Sequence, residues 1–170
     1  MSPAKKVAKF KAGRAPENIV VELREILSST YSANPSEFIG ESVRYTCINN
    51  ICILYCGKAR TNALKILYEG NWVGLYNKKV IAPSISVIKS IYSKYGVKAA
   101  IVVGEKALRA FLYGNDIFPE SVHEVIPPRK WLYSVIDPDD GEVVGFVKWS
   151  RERRIYENIY DVGIFIRALN

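Results

Sequence analysis

Lys148-Trp149-Ser150-Arg151-Glu152-Arg153-Arg154 puts four cations and a tryptophan into seven residues. Guanidinium groups suit a phosphate backbone, because their planar fork donates paired hydrogen bonds and also stacks on exposed bases. Trp149 is a candidate stacking platform, a contact worth about 1–3 kcal/mol per base, although core packing is the commoner fate of a tryptophan in a strand. While strand alternation holds, Lys148 and Ser150 share one face and Trp149 and Arg151 the other; past residue 150 that phase is not fixed. Arg129 and Lys130, after Pro127-Pro128, are a second basic pair that a solvated turn explains equally well.

Other reactive residue types do not assemble into sites. Cys47, Cys52 and Cys56 are the three cysteines. With Asn49-Asn50 as a two-residue turn, Cys47 faces Cys52 in a non-hydrogen-bonded pair, Cα atoms about 4.5 Å apart. Cys56 lies four residues on, about 13 Å away in an extended strand, too far to share a zinc ion whose thiolate bonds are about 2.3 Å. Buried free thiols are the expected state, and a Cys47–Cys52 disulfide is the alternative. His123 is the only histidine, has no Gly-x-Ser-x-Gly elbow beside it, and reads as structural or surface. Asp137, Asp139, Asp140 and Glu142 surround Pro138 and Gly141, which makes a hairpin turn rather than a carboxylate site. Val103-Gly104-Glu105-Lys106 lacks the Gly-x-x-x-x-Gly-Lys-(Ser/Thr) pattern of a phosphate-cradling loop. No catalytic residue, metal ligand or cofactor is assigned.

The elements that would position the basic run follow from periodicity and turn chemistry. Residues 1–14 read as a flexible basic arm. Pro16 and Glu17 open a helix over roughly 17–29, with Ile19, Leu23, Ile26 and Leu27 on one face. A loop over 30–41 precedes strands Val43–Ile48 and Ile51–Cys56, and residues 58–68 read as a helix ended by Gly70. Trp72–Tyr76 and Lys79–Ala82 are short strands, and Pro83 begins a helix that Gly96 stops near Tyr95. Lys98–Val103 is a strand and 105–113 a short helix closed by Gly114. Strands Val122–Ile126, Trp131–Ile136 and Glu142–Trp149 follow, the last two flanking Asp137–Gly141. Beyond them the basic run enters a loop, and an apolar run, Val162–Leu169, closes the chain. The change of pattern at Gly96 predicts an α+β protein in two domains, 15–96 with an antiparallel sheet and helices, and 97–170.

Composition agrees with a globular, basic protein. Of the 170 residues 49% are hydrophobic, and the net charge is +7. Residues 1–14 hold five bases and no acid; 15–96 carry +3; 97–170 carry −1, divided between the acidic turn and the basic run. A polyanion would be drawn to the basic pole and repelled from the acidic one. No run is apolar and long enough to span a membrane. The first residues lack the apolar stretch of a secretory signal, so a cytoplasmic protein is expected. The absence of glutamine and the single methionine suit a hot-environment source, whereas ten asparagines argue the other way.

Two strings carry a resemblance. Phe111-Leu112-Tyr113-Gly114-Asn115 and the closing Asp161-Val162-Gly163-Ile164-Phe165-Ile166-Arg167 are similar to motifs of the Nip-seven family of large-subunit ribosome biogenesis factors, in an archaeal-type member. Asp139–Phe146 resembles the central hairpin of PUA domains. The motifs lie within 97–170; the preceding residues resemble the family in length and element order only. The resemblance implies an N-terminal α/β (pre-PUA-like) domain at 15–96 and a C-terminal PUA β pseudo-barrel at 97–170. It also implies a non-catalytic role in pre-ribosomal RNA processing and large-subunit assembly, with single-stranded or looped pre-ribosomal RNA as ligand. Exosome subunits or other assembly factors are the implied partners, and a eukaryotic member would be nucleolar. The terminal arginine of the motif adds Arg167 to Lys148, Trp149, Arg151, Arg153, Arg154, Arg129 and Lys130 as RNA contacts. Two departures stand out: the segment between Trp149 and Asp161 is shorter than in eukaryotic members, and the basic arm is outside the family pattern. The alternative readings are an accessory subunit or PUA-containing enzyme of RNA modification, and a protein-interaction scaffold without RNA contact.

Overall fold

A computed structural model of the chain describes residues 10–57, 70–77 and 80–164. The expected helix at 58–68, Lys79, Arg167, residues 1–9 of the arm and most of the closing run lie outside the described residues.

The first helix, α1 (Glu17–Tyr31), buries Ile19, Leu23, Ile26, Leu27, Thr30 and Tyr31, the stripe that three- and four-residue spacing produces. It ends on Ser32 in the left-handed conformation (φ 54°). Strands β1 (Phe10–Arg14), β2 (Val43–Ile48), β3 (Ile51–Cys56), β4 (Asn71–Asn77) and β5 (Ile81–Pro83) form one antiparallel sheet in sequence order. β1 corrects the flexible-arm expectation for residues 10–14. The Phe-Lys-Ala-Gly-Arg segment has no apolar alternation because it is an exposed edge strand, held by its ladder with β2 rather than by burial.

The β2–β3 hairpin turns on Asn49 at φ +56° and places Cys47 opposite Cys52. The two sulfurs are bonded, with Cα atoms 3.9 Å apart, which overturns the expectation of free thiols there. A two-residue turn leaves that pair in the narrow, non-hydrogen-bonded register, where side chains stand closest. Cys56 is free and half-buried, and burial pushes its thiol pKa up.

The second helix, α2 (Ile85–Tyr95), starts later than Pro83. Ser84 caps it by accepting from the Val87 N–H at 3.2 Å. Pro83 instead closes β5 at the sheet edge, opposite Gly74, where a missing N–H costs little. Gly96, at φ +80°, ends α2.

After Gly96 come β6 (Ala100–Val103), α3 (Glu105–Leu112), β7 (Val122–Ile126), β8 (Leu132–Ile136), β9 (Val143–Ser150) and β10 (Ile155–Asp161). The second sheet runs β10-β9-β8-β6-β7, with only the β6–β8 pair parallel. The sequence pattern predicts a loop where β10 runs. Its Glu157-Asn158 interrupts the apolar pattern, and the register shifts between Asn158 and Tyr160, as happens at an irregular sheet edge.

Every residue of β8 is buried, because the sheet is covered on both faces. Leu132 and Ile136 join α1, α2 and the first sheet in one core, which also takes in Val143, Phe146 and Tyr160. Tyr133 and Val135 point the other way, into a second core with Leu108 and Phe111 of α3. Gly145 is required where these layers touch: a Cβ there would stand 2.2 Å from the Tyr160 carbonyl oxygen and 2.7 Å from the Phe111 ring. Among the described residues no helix is long and apolar enough to cross a membrane.

Candidate nucleic-acid interface

The basic run occupies a hairpin tip. β9 and β10 pair Ser150 with Ile155, Trp149 with Tyr156 and Lys148 with Glu157, leaving Arg151-Glu152-Arg153-Arg154 as the four-residue turn. All four turn residues are exposed, and Arg154 takes the left-handed conformation that closes the turn (φ 52°).

Two arginines of the turn differ from the third. Arg153 donates to Asp116 at 3.1 Å and to Glu157 at 3.4 Å. Its charge is thereby shared with two carboxylates, although its side chain stays 58% exposed. Neither Arg151 nor Arg154 forms an ion pair among the described residues. The three guanidiniums are therefore not equivalent: Asp116, thirty-odd residues upstream, engages Arg153.

Trp149 is partly packed rather than fully open. Its ring lies 4.7 Å from that of Tyr156 and packs against the second core, half-buried. Lys148, on the opposite face, is half-buried across the ladder from Glu157.

The fold brings Arg129 and Lys130 to the same end of the sheet. Both are exposed in the β7–β8 loop, after a cis Pro127-Pro128 bond. β8 begins opposite Lys148, and the Trp149 N–H donates to the Trp131 carbonyl at 2.9 Å. Burial, chiefly, raises the pKa of Tyr133 and Tyr156, and the charge of Arg129 opposes both shifts. The acidic turn caps the other end of β8 and β9, with Gly141 at φ +74° and its N–H donating to the Asp137 carbonyl at 3.0 Å. One end of the sheet is cationic and the other anionic, a dipole that orients an approaching polyanion.

The two motif strings meet in space, and they do so through Asn158. Its side-chain amide donates to the Phe111 carbonyl at 2.9 Å, the Asn115 carbonyl at 3.4 Å and the Asp161 carboxylate at 3.1 Å. Its backbone N–H donates to Asp116 at 2.9 Å. The buried Asp161 also accepts from the Gly163 N–H at 2.8 Å. These residues strap the segment after α3 along β10, beside the basic tip.

That strap also carries two exposed aromatic side chains that are not among the candidates read from sequence. Tyr113 is 81% exposed and Phe118 60% exposed. The available signal was phase: Leu108 and Phe111 fill the buried stripe of α3, so a tyrosine two residues later falls off it.

Residues 99–170 match the sequence model of the family described as the UPF0113 PUA domain. No curated protein matches the chain in sequence. Three solved archaeal structures share its architecture. A hypothetical protein of Pyrococcus horikoshii has 13% identity and a TM-score of 0.62, covering 89% of this chain and 94% of its own. A conserved PUA domain protein of Thermoplasma acidophilum has 14% identity and a TM-score of 0.60, covering 94% and 100%. A PUA domain of Aeropyrum pernix, solved as a tartrate complex, has 16% identity and a TM-score of 0.62, covering 98% and 95%. At these identities the likeness is one of fold. The chain is an α+β protein that carries, over residues 99–170, a PUA-type domain, a fold that generally binds RNA.

Proposed function

We propose that the chain is a non-catalytic RNA-binding protein that grips RNA at the basic end of the second sheet. One observation supports this most: Arg151 and Arg154 are exposed, without ion pairs among the described residues, at the sheet end that also carries Arg129 and Lys130. Lys148 and the ion-paired Arg153 flank them. Resemblance to the Nip-seven family names the finer role as processing of pre-ribosomal RNA and assembly of the large subunit, in the cytoplasm. In this reading residues 97–170 bind the RNA, and the unit before them meets assembly proteins such as exosome subunits.

Fluorescence anisotropy of the full chain with a labelled RNA tests the contact. Wild-type affinity should fall with salt at a log–log slope of about −0.7 for each phosphate neutralised on a single strand. The Arg151→Glu/Arg154→Glu variant should lose most of the binding and flatten that slope, while its melting temperature stays put. An affinity unchanged in the variant would take the tip out of the site.

A further inference from the structure

We infer that Tyr113 and Phe118 form a base-stacking surface beside the guanidinium tip, which makes the ligand an unpaired RNA strand rather than a duplex. This inference rests on the RNA-binding reading above and narrows its ligand.

The strap's geometry carries it. Ile117 and Tyr156 exchange both backbone hydrogen bonds at 2.9 Å, so the strap runs as a short antiparallel partner of β10. Ile117 is buried at 1% exposure, and alternation turns its neighbours Asp116 and Phe118 to the opposite side. Asp116 holds Arg153 there at 3.1 Å. Phe118 is the next residue on that face, roughly 7 Å along the backbone from Asp116. It stands across from Ile155, the residue after Arg154. Tyr113 ends α3, its N–H bonded to the Ala110 carbonyl at 3.1 Å, and lies three residues before Asp116, at most about 11 Å away.

Two largely exposed rings therefore stand within a few residues of the tip cations, on a segment pinned by the Asn158 hydrogen bonds. Single exposed apolar side chains are ordinary on a surface. Here they lie on a segment that Asp116 ties to the cationic loop, a pairing that suits phosphate and base together. An unpaired strand offers both, since every base has a π-face and stacking on it tolerates any sequence. A duplex hides those faces within its own stack.

The test uses the full-length chain and three probes of equal length: a ten-nucleotide oligouridylate, the same phosphate chain without bases, and the oligouridylate annealed to its complement. Wild type should bind the base-bearing single strand at least about tenfold more tightly than the other two. Tyr113→Ala and Phe118→Ala should each weaken that binding by about fivefold or more, leave the abasic chain's affinity unchanged, and keep the wild-type melting temperature. Phe118→Trp should restore the preference, which a merely structural loss would not. Equal wild-type affinity for base-bearing and abasic strands, tighter duplex binding, or alanine variants that bind oligouridylate as wild type does would each overturn the inference. If wild type binds all three alike and Arg151→Glu/Arg154→Glu abolishes that binding, the RNA-binding reading stands alone. Binding to none of the three overturns both.

Discussion

Arg151 and Arg153 sit two residues apart on one turn, yet their electrostatic surroundings differ. Arg153 shares its charge with Asp116 and Glu157, whereas Arg151 forms no ion pair among the described residues. Exposed pairs of this kind are worth at most about 1 kcal/mol, because solvent screens them and long side chains lose entropy when held. The value of Arg153 is therefore mainly positional: it ties the tip to the strap that carries Phe118. Reversing it would set a third negative charge against two carboxylates. Arg153→Glu should cost about 1 kcal/mol of stability and also weaken RNA binding, whereas Arg151→Glu should weaken RNA binding with stability inside about 0.5 kcal/mol of wild type. Urea midpoints of the two variants decide this. If they coincide, the ion pairs to Asp116 and Glu157 do not hold the tip.

At the scale of elements, the strap and β10 depend on one amide. Asn158 shares its two side-chain N–H groups among three acceptors and donates its backbone N–H to a fourth, on either side of it, and one acceptor is the carboxylate of fully buried Asp161. Removing a partner of a buried charged group costs more than the bond gained on folding, about 1–3 kcal/mol. Asn158→Ala should lower the melting temperature by roughly 3–10 °C for a chain of this size. It should also raise amide exchange in residues 111–118 before the rest of the second sheet. A variant as stable as wild type would show the strap to be held by Ile117 alone. The same region shows where sequence reading succeeds and stops. Helical stripes and the hairpin turns at Asn49-Asn50 and Asp137–Gly141 are local, and they are legible because their physics is local. β1 and β10 escaped because an edge strand draws stability from its ladder and not from an alternating pattern. At the site, the cations were visible in the composition of residues 148–154, but which of them is already engaged depends on Asp116, and the packing of Trp149 depends on Tyr156. Contacts across a fold leave no periodic mark in the chain.

At the scale of the whole molecule, α1, α2 and both sheets share a core, and two phenols sit at the junction. The rings of Tyr31 and Tyr92 lie 6.2 Å apart. Tyr92 donates to the Lys98 carbonyl at 2.7 Å and accepts from Ser134 of β8, joining α2 to the second sheet. The Tyr31 hydroxyl is buried without a hydrogen-bond partner among the described residues. Burial pushes both phenols well above the ordinary tyrosine value of 10.0. Unfolded, each ionises near pH 10, while the folded chain keeps both protons, so above that pH the unfolded ensemble gains and stability falls. Each phenol contributes a slope of about 1.4 kcal/mol per pH unit, and below pH 10 neither contributes, since both states are protonated. Urea unfolding between pH 7 and 11 should show a flat stability from these groups up to about pH 9 and a fall of about 2 kcal/mol between pH 10 and 11. Tyr31→Phe should halve that fall and leave neutral-pH stability unchanged or higher, because the hydroxyl it deletes satisfies nothing. Tyr92→Phe should also halve it but lose about 1–3 kcal/mol at pH 7, the cost of leaving Ser134 and the Lys98 carbonyl without a partner. If Tyr31→Phe is as damaging at pH 7 as Tyr92→Phe, the Tyr31 hydroxyl is bonded after all, and the junction is held by two polar clasps instead of one.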